Sequence, residues 1–392
     1  MPKAPLRFLL LNGVVNKVDA ISRSLILKHE ALREFFGQNA LVDVACYGGD
    51  ADLQGMNIFR NSSELIRSDV FRDANCLIYE FGICYDLFDS IHVAPRNAAA
   101  IGVWHNVTPP SLAYNIQAFN TLKISLTQST NLFHCDHIFC DSQYNLDEIS
   151  PLDPSYRNIS VLNLPIEDSF LHNSEIVERH NNDKCLQFLF VGRFVRSKGV
   201  LDLIVAFTRA TRKVPDVAVN LVLVGNTSFS EDSYLNEITT AINNTGNRNI
   251  HFAGTASQDE LLKYYTNSDV FIMPSYHEGY CVPVLEAFAS GCHVIAYDAG
   301  NLSAIVGDYG HTVPTGDVEA LTEALADYLM AVGQARRNKR EPSIRAGTTR
   351  FSARDLSERA RLYAISHSIA AYKKNFIAGL GDVIQRKGLW IS

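Results

Sequence analysis

Two carboxylates and two cations stand in patterns that suit a charged ligand rich in hydroxyls. Glu278 and Glu286 lie eight positions apart in the stretch SYHEGYCVPVLEAFASGCHVIAYDAG, residues 275–300. On a continuous helix that spacing separates them by roughly 12 Å at about 1.5 Å per residue. A carboxylate pair sharing one glycosidic bond stands only about 5 to 9.5 Å apart. The two glutamates therefore suit hydroxyls at separate points of an extended ligand, such as a sugar and a ribose. Pro283 is placed as a first helical residue and Gly291 as a stop, which predicts a short helix. The N–H groups near Tyr280, Cys281 and Val282, together with the helix dipole, would then form an anion site suited to a diphosphate. The stretch FVGRFVRSKG, residues 190–199, brings an apolar strand into Gly192, then Arg193, then Lys198 just before a helix. Arg offers a forked contact to phosphate and Lys a point charge.

These residues need elements to hold them. Short apolar runs alternate with segments of helical period almost from end to end, which predicts an α/β protein with parallel sheets. Strands are expected at Leu6–Leu11, Leu41–Tyr47, Cys76–Tyr79, Ala98–Trp104, His137–Cys140 and Ile159–Leu162. A second set is expected at Leu186–Val191, Val219–Val224, Ile250–Ala253, Val270–Met273 and Val294–Tyr297. Between the first two strands a helix is expected to bury Ile21, Leu25, Leu32 and Phe35. Ser257 with Glu260 forms a capping-box pattern. Residues 164–184 turn polar and read as an interdomain connection. Two doubly wound domains joined there would face each other across a cleft, with ligands beyond the carboxyl ends of the strands.

The chain resembles a known family. The G-R-x4-K-G stretch at Gly192–Gly199, the E-G-Y-C-V-P-V-L-E-A stretch at Glu278–Ala287 and the S-G stop that follows are similar to retaining glycosyltransferase family 4, or glycosyltransferase group 1. Leu77–Glu80 and Trp104-His105-Asn106-Val107-Thr108-Pro109 resemble bacterial polysaccharide-building members. The resemblance implies a GT-B fold of two Rossmann-like domains. Residues 1–165 would be an acceptor domain, 166–350 a donor domain, and 351–392 helices crossing back to the first. It also implies a nucleotide-diphosphate sugar donor (UDP- or GDP-linked), a saccharide or lipid-linked saccharide acceptor, retention, and no cofactor or metal.

On this resemblance Arg193 and Lys198 hold the diphosphate, Glu286 the ribose, and Glu278 the donor sugar near the reacting carbon. Backbone at Gly279, Tyr280 and Cys281 cradles sugar and phosphate, and Val282 and Gly192 complete the donor-binding set. Gly254 and Thr255 border the base, Gly13 lets backbone approach the phosphates, and His105 reaches the donor sugar. Glu278, His105, Arg193 and Lys198 are the catalytic candidates. The family commonly has Gly where this chain has Cys281, and Tyr where it has Trp104.

Other chemistry has weaker support. His134, Cys135, His137 and Cys140 resemble metal ligands in type, but the stretch reads as a buried strand. Asp50-Ala51-Asp52 follows two glycines and reads as a turn. The 392 residues are 47% apolar and 20% charged, which excludes a disordered or fibrous chain. Met1-Pro2-Lys3-Ala4-Pro5 leads into a strand-like run without a signal-peptide pattern. The eight cysteines include no C-x-x-C pair, so reduced thiols and a cytoplasmic setting are expected. Net charge is −7, yet residues 331–392 carry 13 basic against 4 acidic groups. That segment is a candidate for peripheral contact with an anionic membrane. No aromatic-interleaved basic motif points to nucleic acid. A nucleotide-sugar epimerase of the same fold and a non-catalytic sugar-nucleotide-binding subunit remain the alternatives.

Overall fold

The computed structural model describes residues 5–17, 19–171, 185–227 and 230–389. Of the connection expected over 164–184, residues 172–184 lie outside the described residues, as do residues 1–4 at the start of the chain. The chain divides into two compact units, Met1–Leu164 with Ile369–Ser392, and Pro165–Ser368.

The first unit is built on seven parallel strands: β1 Leu6–Leu11, β2 Ala40–Cys46, β3 Met56–Ile58, β4 Cys76–Phe81, β5 Ala99–Trp104, β6 His137–Cys140 and β7 Ile159–Val161. Their order is β3-β2-β1-β4-β5-β6-β7, so the winding reverses between β1 and β4. Every residue of β4 and β5 is buried, as expected of central strands covered by helices on both faces. Glu80 shares that burial within an otherwise apolar strand and so requires a partner. The helix Ala20–Phe36 buries Leu25, Leu27, Ala31, Leu32 and Phe36. Phe35, expected inside, is 52% exposed, and its neighbour Phe36 takes the inward place against Phe8. The same helix carries Lys28 fully buried. The helix Ile369–Arg386 returns to this unit and packs Tyr372, Phe376, Leu380, Val383 and Ile384 inward.

The second unit has six parallel strands: β8 Leu186–Val191, β9 Val219–Val224, β10 Ile250–Gly254, β11 Val270–Met273, β12 His293–Tyr297 and β13 His311–Val313. Their order is β10-β9-β8-β11-β12-β13, which puts the reversal between β8 and β11. A small hairpin, β14 Ser343–Ala346 with β15 Thr349–Ser352, follows. The helix Gln258–Thr266 opens with a reciprocal capping box between Ser257 and Glu260. The helix Val282–Ala289 starts with proline in its first two positions, and Gly291 just beyond it takes a positive φ of 81°. Both helices thus form where their local signals place them.

Candidate functional site

In the second unit the loops following β8 and β11 meet at the switch point, where open α/β sheets bind ligands. The Tyr276 N–H donates to Ser197 O at 2.8 Å and joins the two loops. Gly199 makes the approach feasible. It adopts φ 63°, and a Cβ there would sit 2.0 Å from Pro274 O. Lys198 and Glu278, eighty positions apart in sequence, are thereby brought together. Lys198 Nζ donates to Glu278 Oε1 at 2.5 Å, with the two side chains only 16% and 11% exposed.

The backbone around Glu278 is fixed from a third loop. The Asn301 N–H donates to Glu278 O at 2.9 Å, and the Asn301 side-chain amide donates to Tyr280 O at 3.1 Å. Gly300 precedes it with φ 60°, and a Cβ there would lie 2.3 Å from Glu278 O. Gly300→Ala is therefore expected to lose about 1–3 kcal/mol of stability through left-handed strain and overlap. It would also move Glu278, so turnover should fall more than donor affinity. Unfolding and steady-state kinetics on the same variant check both halves.

Cys281 takes φ 78° and ψ 65° immediately before the helix Val282–Ala289. Glycine adopts this left-handed conformation without strain, which gives a physical reason for the residue type common in the resembled family. The thiol is buried, and burial with Glu278 nearby pushes its pKa well up. The first N–H groups of the helix lack intrahelical partners, as all helix starts do.

Glu286 lies on this helix. Burial lifts its pKa to about 7, with Tyr265 hydrogen-bonding the charged form and Glu167 opposing it. An acid whose folded pKa is raised stabilises the fold fully below its unfolded value, and loses that contribution as pH rises through the folded one. The melting temperature should therefore fall between pH 4.5 and about 7. In Glu286→Gln this slope should flatten, as thermal melts across that range would show.

Gly192 directly follows β8, and Arg193 beside it is exposed, with no ion pair to a described residue. Gly254 closes β10 and Thr255 follows it; the Gly225 N–H donates to Gly254 O at 2.8 Å. Gly192, Arg193, Lys198, Glu278, Gly279, Tyr280, Cys281, Val282 and Glu286 thus belong to the β8 and β11 loops and the helix after them. Gly254 ends the edge strand β10 of the same sheet, and Thr255 follows it.

Gly13 and His105 belong to the first unit. Gly13 follows β1, and a Cβ there would meet Tyr85 at 3.4 Å, an ordinary contact. His105 follows β5 and is enclosed, its side chain 3% exposed. Its Nε2 lies 2.6 Å from Glu80 Oε2 and its Nδ1 2.7 Å from Asp141 Oδ2. Burial alone would lower the ring pKa, but Asp141 and Glu80 outweigh it and raise the value to about 9. The expectation that this ring reaches a sugar meets a different geometry, because both of its nitrogens are committed to carboxylates.

The supporting residues were less visible. Glu80 and Asp141 stand at strand ends without a motif that assigns them a role. Lys28 interrupts the apolar stripe between Leu25 and Leu32, and a charge at that position is itself a signal of a buried partner. Asn301 follows a glycine beyond β12, a strand-end position with no distinctive spacing.

Residues 173–341 match the family described as glycosyl transferases group 1. The family resemblance read from the motifs is borne out over this segment. Among curated proteins, the D-inositol 3-phosphate glycosyltransferase of Corynebacterium urealyticum is 32% identical over 145 residues, 36% of this chain and 34% of that protein. The sulfoquinovosyl transferase SQD2 of Arabidopsis thaliana is 37% identical over 112 residues, 26% of this chain and 22% of its own. The matches therefore span about a third or less of these relatives. Sucrose-phosphate synthase from Thermosynechococcus elongatus shares the fold with a TM-score of 0.75 at 15% identity, covering 97% of this chain and 100% of that one. The two units are those of the GT-B fold, as the sequence leads one to expect.

Proposed function

We propose that the protein transfers a sugar from a nucleotide-diphosphate donor to a saccharide or lipid-linked saccharide acceptor, with retention at the anomeric carbon, during assembly of a cell-surface polysaccharide. The observation that carries this reading is the Lys198–Glu278 pair at the β8/β11 switch point, inside the segment that matches glycosyl transferases group 1. In the reaction the bond from the anomeric carbon to the diphosphate oxygen breaks and its electron pair leaves with the diphosphate. An acceptor hydroxyl oxygen bonds to the carbon and its proton passes to the departing diphosphate oxygen. Negative charge grows on the leaving phosphate while the sugar becomes cation-like. Fixed cations and helix N–H groups therefore favour the transition state over the ground state. On this reading the diphosphate takes Lys198 and Arg193, which releases Glu278 to accept from donor hydroxyls, and Glu286 accepts from the ribose.

The second unit takes the donor and the first unit the acceptor. His105 serves through the backbone loop that it heads. A cytoplasmic setting and peripheral contact of the basic C-terminal segment with an anionic membrane belong to the same reading. Among the described residues no helix is long and apolar enough to cross a membrane. Vesicle binding that does not weaken with added salt would overturn the electrostatic part.

The Anabaena protein Alr3699/HepE, at 14% identity and a TM-score of 0.68, is known in complex with UDP-glucose, which makes UDP the first base to test. The decisive measurement is acceptor-dependent release of nucleoside diphosphate, with titration calorimetry of UDP against GDP to choose the base. Interconversion of the donor sugar without an acceptor, or release from neither donor, would overturn the transfer reading.

A further inference from the structure

The densest set of charges in the first unit is wholly enclosed. Lys28 and Glu80 side chains are 0% exposed, and Asp141 is 4% exposed. With His105, Ser24 and Tyr372 they form one chain of contacts that joins five elements. Tyr372 Oη, on the helix Ile369–Arg386, lies 2.9 Å from Ser24 Oγ, and Lys28 Nζ donates to the same oxygen at 2.5 Å. Lys28 Nζ stands 3.0 Å and 3.2 Å from the two Glu80 oxygens. Glu80 reaches His105 Nε2, and His105 Nδ1 reaches Asp141. Lys28 also lies over the Tyr372 and Phe376 rings, 5.6 Å and 5.9 Å from their centroids.

The chemistry of the contacts dictates the charge. Each ring nitrogen of His105 faces a carboxylate oxygen at hydrogen-bond distance, so both nitrogens donate and the ring is an imidazolium. Lys28 and His105 then balance Glu80 and Asp141. A neutral ring would turn a lone pair toward a carboxylate and leave a net negative charge buried, which is costly. The groups around the ring agree. Burial would raise the Glu80 pKa, yet Lys28 and His105 bring it below its ordinary value. Burial would lower the Lys28 pKa, yet Glu80 and Tyr372 raise it. Cys140, next to Asp141, is pushed up by burial and stays a neutral thiol.

The next residue shows what the ring anchors. Asn106 takes a left-handed φ of 73°, and its side-chain amide donates to Asn145 Oδ1 at 2.8 Å and Glu148 Oε2 at 2.5 Å. The start of the strand-end loop 105–109 is therefore pinned on both sides.

We propose that Lys28, Glu80 and Asp141 are positioning residues that fix His105 as an imidazolium at neutral pH holding the loop 105–109, and that Tyr372 makes this clamp depend on the helix Ile369–Arg386. The inference rests on the reading in which that loop serves sugar transfer. It makes His105 a fixed cation in the scaffold and not a proton donor or acceptor in the reaction.

The test uses the full chain, with the His105 ring followed by nitrogen NMR and acceptor-dependent turnover measured from pH 6 to 9. In the wild type both ring nitrogens should carry protons through pH 8. Glu80→Gln should bring the titration below the ordinary histidine value of about 6.5 and lower kcat at least about tenfold between pH 6 and 8, with KM little changed. Lys28→Met should move the titration the opposite way, since it leaves Glu80 to the ring alone. A merely structural role would not give shifts of opposite sign. Tyr372→Phe removes one hydroxyl and should loosen both ring N–H signals. If Glu80→Gln does not fold, Asp141→Asn and the double variant Lys28→Met with Glu80→Gln, which keeps the cluster neutral, carry the same comparison. A wild-type ring that titrates near 6.5, or ring titrations unmoved by these variants, would overturn the clamp. If the ring behaves as described but no transfer occurs with any donor, the transfer reading falls and the clamp stands.

Discussion

Arg193→Ala and Lys198→Ala are each expected to lower kcat for sugar transfer by about 10² to 10³, in line with the loss of one donor aimed at developing charge. Arg193 gives the cleaner measurement. It is exposed and forms no ion pair with a described residue, so its removal should leave the melting temperature where it was. Lys198 is different because it also neutralises Glu278, which is only 11% exposed. Its loss leaves an under-solvated carboxylate next to the site, and some stability should go with the activity. Lys198→Met combined with Glu278→Gln should recover that stability without recovering turnover. Near-normal rates in both single alanine variants, measured under saturating donor and acceptor, would reject the phosphate assignment.

Lys28→Met should be the most destabilising of the charge-removing substitutions, by about 3–5 kcal/mol, because it strands a buried Glu80 without its ammonium partner. In a unit of this size that corresponds to a fall in melting temperature of roughly 10 °C. Adding Glu80→Gln removes the stranded charge and should restore a large part of the loss. A double variant as unstable as the sum of the singles would show that the two residues are not coupled. The pH dependence has a definite sign. The His105 contribution is fully present below its unfolded pKa of about 6.5. It is lost as pH rises through the folded value of about 9. Calorimetry across that range should show the first unit weakening at a pH where the Glu286 contribution in the second is already gone.

Much of this architecture was legible in the sequence. The bounds of β1, β6, β8, β9 and β11 fall where apolar runs place them, because strands covered on both faces read as unbroken hydrophobic segments. The strands left unread are those without such cover. β3 and β13 are three-residue strands at sheet edges, MNI and HTV, too short and too mixed in polarity to show a period. The choice of Phe36 over Phe35 turns on about 100° of helix phase, which spacing alone left open. At the site, the residue types after β8 and β11 were legible as two local motifs. That Lys198 and Glu278 touch was not, since the contact spans eighty positions and depends on which strands are neighbours. The same holds for His105. Its strand-end position could be read, but its partners lie 25 and 36 positions away and become visible only once β4, β5 and β6 are aligned.

The return of Ile369–Arg386 to the first unit has a consequence for how the molecule is made. During synthesis residues up to Leu164 emerge before the second unit, yet Tyr372, whose hydroxyl lies against Ser24 beside the interior ammonium group, is encoded after the whole of that unit. At about 5–20 residues per second, the ribosome needs roughly ten to forty seconds to add the intervening stretch. Throughout that interval the nascent lobe must persist with an incomplete interior. A premature stop codon just after residue 368 would consequently damage the first unit and not the second, which is translated between its two parts.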